Sequence, residues 1–168
     1  MYSKPTDLSV ELPNGGVGPD PLRLDALDAE FVVLLFQRDV LCSNCRSQVQ
    51  EIAARYEEFR ARDTVVVSVL PDSKERAAEW AASYELPFPV VADPETRTAD
   101  RFGQPVRFGF LGELHNLLGR MPLAVIIDLR GEEPRLVYSH VGTSPSDRPT
   151  VEGLLLELNH KRKSNTDE

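Results

Sequence analysis

Cys42 and Cys45 are the two cysteines of a 168-residue chain. They stand where an apolar run, Val32-Val33-Leu34-Leu35-Phe36, gives way to a helical pattern at Val49, Ile52, Tyr56 and Phe59. Strand, short loop, CxxC and amphipathic helix is an order that activates one thiol and gives it a partner. The free N–H groups and positive dipole end of a helix start favour a thiolate over a neutral thiol. A second sulfur one turn along the same helix can then close a disulfide on the first. The chemistry implied is thiol–disulfide exchange. Cys42, as the thiolate, attacks a protein or small-molecule disulfide, and Cys45 attacks Cys42 to release the reduced product. Two other readings compete. A structural zinc half-site needs two further ligands, and His115, His140 and His160 lie far apart in the sequence. The third reading is a cysteine pair retained without turnover. Arg38 and Arg46 flank the motif, either as a positive potential favouring thiolate or as solvated surface charges.

The elements that must position this pair belong to an ordinary globular chain. Its length fits one domain with a substantial core, and 41% hydrophobic with 27% charged residues is a soluble composition. A formal charge of −8 excludes a nucleic-acid surface as the leading function, because phosphate binding needs a positive field. The start, Met1-Tyr2-Ser3-Lys4-Pro5, has no apolar signal region, and the runs 31–36 and 123–127 are too short to span a bilayer. A cytoplasmic location follows as an expectation, and there a lone cysteine pair is catalytic or metal-binding more often than structural. No dinucleotide loop or metal set is present, so no bound cofactor is implied. Electrons must come from an external dithiol.

Residues 1–20, with Pro5, Pro13, Pro19 and three glycines, read as a loosely held segment. Residues 21–160 read as the folded domain and 161–168 as a frayed polar tail. Phe31–Phe36 and Thr64–Leu70 read as strands buried on both faces. Asp72 or Ser73 caps a helix over 74–84, with Trp80 as core filler. A short strand ends at Val91, and a helix follows Asp93-Pro94 to about Phe102. The stretch 123–128 pairs with 135–141 as a hairpin, and a last helix runs from Thr150 to about His160. The order β-α-β-α-β-α-β-β-α means an α/β layered fold with helices on both faces. Leucines around His115, with Phe108 and Phe110, either cover the core or form a patch for a partner or a second subunit, giving a homodimer. His140 reads as an ordinary strand residue, and Gly142 as a point of approach to the Pro122 loop.

That order, with CxxC opening the first long helix, resembles the thioredoxin-like fold, a central mixed sheet with helices on both faces. More narrowly, residues 8–159 resemble the peroxiredoxin-like (alkyl hydroperoxide reductase/thiol-specific antioxidant) branch. The stretches that carry this are Val69-Leu70-Pro71-Asp72-Ser73, Tyr84 through Pro94, Val125 through Gly131, and Tyr138-Ser139-His140-Val141-Gly142. The resemblance implies a peroxide-attacking cysteine with a threonine three residues before it, a proline four before that, and an arginine opening a later strand. Aligned on Val32–Phe36, Cys45 takes the attacking position, while Cys42, Arg38 and Pro122 replace the threonine, proline and arginine. Cys42 thereby creates CxxC, and Pro122 recreates the proline that thioredoxin-like reductases hold cis opposite that motif. Met121 would then offer its backbone to an extended substrate strand. Phe36 occupies the register of thioredoxin's buried acid, leaving Asp39, water or another group to move the Cys45 proton. The reading expected is a thiol–disulfide oxidoreductase using Cys42 and Cys45, with Met121 and Pro122 binding substrate. The alternatives are a thiol-dependent peroxidase, with Cys45 attacking peroxide and Cys42 resolving, and a redox-sensing module acting through 108–118.

Overall fold

The computed structural model describes residues 4–5, 7–106 and 120–164. The described elements are β1 (Lys4–Pro5), β2 (Glu11–Leu12), β3 (Leu22–Arg23), β4 (Phe31–Phe36), α1 (Ser43–Ala54), α2 (Tyr56–Arg60), β5 (Thr64–Leu70), α3 (Lys74–Ser83), β6 (Val90–Ala92), α4 (Arg97–Arg101), β7 (Leu123–Asp128), β8 (Arg135–Val141) and α5 (Val151–Lys163). One six-stranded mixed sheet runs β1-β8-β7-β4-β5-β6. β4 lies inside it, parallel to β5 and antiparallel to β7. Every β4 side chain is buried, which is why the run is apolar without alternation.

The strand period sorts those side chains. Phe31, Val33 and Leu35 join one core cluster with residues of α1, α2, α3 and α5. Val32, Leu34 and Phe36 join a second with Leu8, Leu12, Leu22, Leu24 and Ala99. Helices therefore lie on both faces; among the described residues, α4 and the N-terminal segment contribute to the second face. Each fully buried Leu, Val or Phe contributes about 1.5–3 kcal/mol of transfer free energy. Trp80 sits in the first cluster at 5% exposure, as core filler should.

Three boundaries differ from the sequence expectation. The described part of the N-terminal segment, residues 7–20, is docked rather than loosely held. Asn14, 4% exposed, accepts from Val90 and Gly16 N–H through Oδ1 and donates to the Val17 and Pro19 carbonyls. Gly15 lies so close to α3 that a Cβ would come within 2.4 Å of the Ala78 nitrogen. The first long helix breaks at Arg55, whose φ of −120° leaves the helical region. The last helix continues to Lys163, where Arg130 donates to the Lys161 and Arg162 carbonyls and supplies acceptors at that end with partners. Residues 165–168 of the expected tail lie outside the described residues.

Candidate active site

β4 does not stop paired at Phe36. Gln37 N–H donates to the Val69 carbonyl at 3.0 Å, and its fully buried side chain donates to Ser68. The chain then turns through Asp39, whose carboxylate accepts from Leu41 N–H, and reaches Cys42 as the N-cap of α1. Cys42 and Cys45 are joined as a disulfide, with Cα atoms 5.2 Å apart. Cys42 Sγ accepts the Cys45 backbone N–H at 3.2 Å, the capping role a Ser or Asp side chain would fill. Both sulfurs are enclosed: Cys42 is 5% exposed and Cys45 is 0%. The first cysteine is thus the more open of the two, as expected, but only slightly.

The donors converge on Cys45. Arg148 Nη2 lies 2.9 Å from its sulfur and 3.6 Å from that of Cys42, and the Arg38 backbone N–H points at Cys45 Sγ at 3.4 Å. Arg148 enters from the connection between β8 and α5. Its Nη1 donates to Gln37 and Gln48 and its Nε to the Pro145 carbonyl. Burial first, and then the Arg38 charge, bring its guanidinium down to about 10, which still leaves it a cation at neutral pH. Arg38 Nη1 stands 3.9 Å from Cys42 Sγ, and Arg38 Nε donates to the Arg120 carbonyl at 2.7 Å. Arg46 does not reach the sulfurs this way; it donates to the Leu41 carbonyl.

The connection that carries Arg148 is closed by hydrogen bonds. Asp147 accepts from Thr143 N–H and Oγ and pairs with His140 Nε2 at 2.9 Å. The Thr143 N–H, then His140 and the Thr143 hydroxyl, hold the Asp147 carboxyl down to about 2. Gly142 N–H donates to the Pro122 carbonyl. A Cβ at Gly142 would fall 2.5 Å from Pro122 Cγ and 2.8 Å from the Asp147 carbonyl, so the approach expected between Gly142 and the Pro122 loop is present. His140 faces this turn and not the cysteines.

The expectations for Met121 and Pro122 meet a different backbone. The cis peptide among the described residues is Asp20–Pro21, so Met121–Pro122 is trans. Met121 N–H donates to the Pro105 carbonyl, and its own carbonyl accepts from Gln104 Nε2 at 2.9 Å. Gln104, 6% exposed, also donates to the Gln37 carbonyl. Both backbone groups of Met121 are therefore committed within the protein, where the expected role needed them for a substrate strand. The His115 segment, 108–118, lies outside the described residues.

Arg148 is the residue the sequence reading missed. It stands 103 positions from Cys45, at no motif spacing, and only the folding of the β7–β8 hairpin brings it back. Among the described residues no group of His, Cys, Asp and Glu could hold a metal ion, and no helix is long and apolar enough to cross a membrane. What the arrangement can do is stabilise a sulfur anion at Cys45 with a second sulfur within bonding reach.

Solved structures with the same fold include peroxidoxin BcpB from Mycobacterium tuberculosis, at TM-score 0.74 and 21% identity, covering 95% of this chain and 98% of that one. The bacterioferritin comigratory protein of Xanthomonas campestris aligns at TM-score 0.72 and 15% identity, covering 92% of each. Peroxiredoxin Bcp of Bacillus subtilis is 25% identical over 83 residues, 49% of this chain and 53% of that protein. The chain thus spans about half the length of that curated relative. The AhpC/TSA family model matches residues 7–132, most of the chain and the strands from β2 to β7, and the chain belongs to the AhpC/TSA family.

Proposed function

We propose that the chain is a thiol-dependent peroxidase in which Cys45 attacks the peroxide and Cys42 resolves. This is the alternative weighed from the sequence, and it displaces the reductase as the leading reading. The observation that carries it is the pair of donors on the Cys45 sulfur, Arg148 Nη2 at 2.9 Å and Arg38 N–H at 3.4 Å. A guanidinium and an amide on one sulfur stabilise its anion, and the thiolate is the nucleophile. Arg148 supplies from another connection the cation that Pro122 cannot. Relatives named as peroxiredoxins, and the committed backbone of Met121, support the same choice.

In the step proposed, the Cys45 thiolate attacks the distal oxygen of a hydroperoxide. The O–O bond breaks, Cys45 becomes the sulfenic acid, and the alkoxide or hydroxide takes up a proton to leave as alcohol or water. Cys42, as thiolate, attacks the Cys45 sulfur, forms the disulfide and expels hydroxide, which is protonated to water. An external dithiol returns the pair to the reduced state by exchange.

The test is stopped-flow reaction of the reduced protein with hydrogen peroxide, with sulfenate trapping in two variants. Cys42→Ser should accumulate a sulfenate at Cys45 at the wild-type rate, and Cys45→Ser should lose the fast phase. Cys42 nevertheless caps α1 and accepts the Cys45 N–H, which favours exchange at Cys42 as a second reading. Slow peroxide reaction in wild type, with rapid exchange of Cys42 against a disulfide, would establish the reductase instead.

A further inference from the structure

Arg148 is a cation held against a disulfide that offers it no negative charge. Among the described residues its hydrogen-bond partners are the Gln37 and Gln48 side-chain oxygens, the Pro145 carbonyl and the two sulfurs, all neutral in this state. Among the described residues, the charge acting on it most directly is Arg38, of the same sign. A partly buried cation beside neutral acceptors and another cation is electrostatically unfavourable. Reducing the disulfide removes that situation, because a thiolate at Cys45 places an anion on the guanidinium at hydrogen-bond distance.

We propose that Arg148, aimed by the Asp147 clamp, biases the Cys42–Cys45 pair toward its reduced form, so that the disulfide is an oxidising one. The bias rests on the fold as much as on the charge. Asp147 ties His140 to Thr143, and the Gly142 bond to Pro122 seats the turn on β7. Asp147 is a positioning residue: it touches neither sulfur and acts through Arg148. Among the described residues, the charged and titratable groups around the pair are Arg38 and Asp39 on the turn after β4, Arg46 on α1, and His140, Asp147 and Arg148 on the β8–α5 side. Among them the guanidinium of Arg148 makes the shortest contact with sulfur.

The equilibrium follows directly. One protein disulfide and two thiols of glutathione give the protein dithiol and one glutathione disulfide, a two-electron transfer. With Cys45 as thiolate, one of the two protons goes to solvent. The reduced state is then favoured about tenfold more for each unit rise in pH, whereas a pair reduced to two neutral thiols shows no such slope.

The experiment equilibrates the full chain in glutathione redox buffers between about pH 6 and pH 8, covering thiolate titration, and reads the dithiol fraction by alkylation. Wild type is expected to show the tenfold slope. Arg148→Met should lower the dithiol-to-disulfide constant about tenfold at neutral pH, about 30 mV for two electrons, and flatten the slope. Arg148→Lys should recover part of both, a rescue that lost packing alone would not give. Asp147→Asn should fall between wild type and Arg148→Met, and it carries the test if the Met variant does not fold. A constant and slope unchanged in Arg148→Met, or in Asp147→Asn where only that variant folds, overturns the proposal. The proposal shares the Cys45 thiolate with the peroxidase reading, but the assay contains no peroxide. A failed peroxidase with a shifted equilibrium, or the reverse, therefore separates the two.

Discussion

At the scale of single residues, the candidate site is two cysteines read from the sequence and one arginine that was not. Cys42 and Cys45 were legible because a strand, a turn and a helix start place them within one stretch. Arg148 was not, because its contact depends on how a distant connection folds back. Local spacing carries no record of that. The clamp beside it gives a prediction that needs no enzyme assay. Asp147 titrates near 2 in the folded chain, below its ordinary range, so it favours folding while ionised. That contribution is complete above the unfolded value near 4 and is lost as pH falls toward 2. Acid titration of wild type should lose more stability between those values than Asp147→Asn, which keeps the similar losses from Asp7, Asp20, Asp25 and Glu58. Equal acid slopes in the two proteins would remove the ionised clamp from the picture.

At the scale of elements, period and caps located β4 to β8 and most helices, but not β1 and β2 in the segment read as loose, nor the break before α2. Ser73 accepts from Arg76 N–H and Thr150 from Gly153 N–H, two N-caps whose side-chain types announce them. What the pattern hid were element ends set by distant groups. Arg130 extends α5 by reaching across from the β7–β8 turn, and the helix after Asp93 starts only at Arg97 because Asp93 accepts from Thr98 and Ala99 N–H. The junction of β8 with the Pro122 loop gives a second prediction. Gly142→Ala puts a methyl group into Pro122 and the Asp147 carbonyl, with no side-chain tip able to swing away. It should cost about 1–3 kcal/mol, as overpacked sites do, and slow the peroxide reaction by moving Arg148. Urea unfolding and stopped-flow rates check the two halves, and a fully stable, fully active variant would count against the close approach.

At the scale of the whole molecule, the mixed sheet with helices on both faces matches the fold the sequence implied. The face of the second cluster is built partly by the N-terminal segment, and this was the least legible part. Prolines and glycines in residues 1–20 suggested loose chain, yet Leu8, Leu12 and Asn14 are buried. The reason is that a buried Asn with four partners fixes a loop as firmly as an apolar run does, while its composition still reads as a turn. Asn14→Ala leaves Val90 and Gly16 N–H groups without their acceptor and should destabilise the protein by about 1–3 kcal/mol. Faster hydrogen exchange at Val90 should accompany the loss, and an unchanged urea midpoint would contradict it.

The 103-residue gap between Cys45 and Arg148 also orders events in time. A chain emerging from synthesis has its cysteines, their strand and their helix long before β8 and the turn after it exist. Until that last part docks, the thiols have their helix start but lack the guanidinium whose action on Cys45 is proposed above. With Arg148 in its proposed role, full thiol activation would certify completed folding, since truncated or half-folded chains carry the same two sulfurs without that charge.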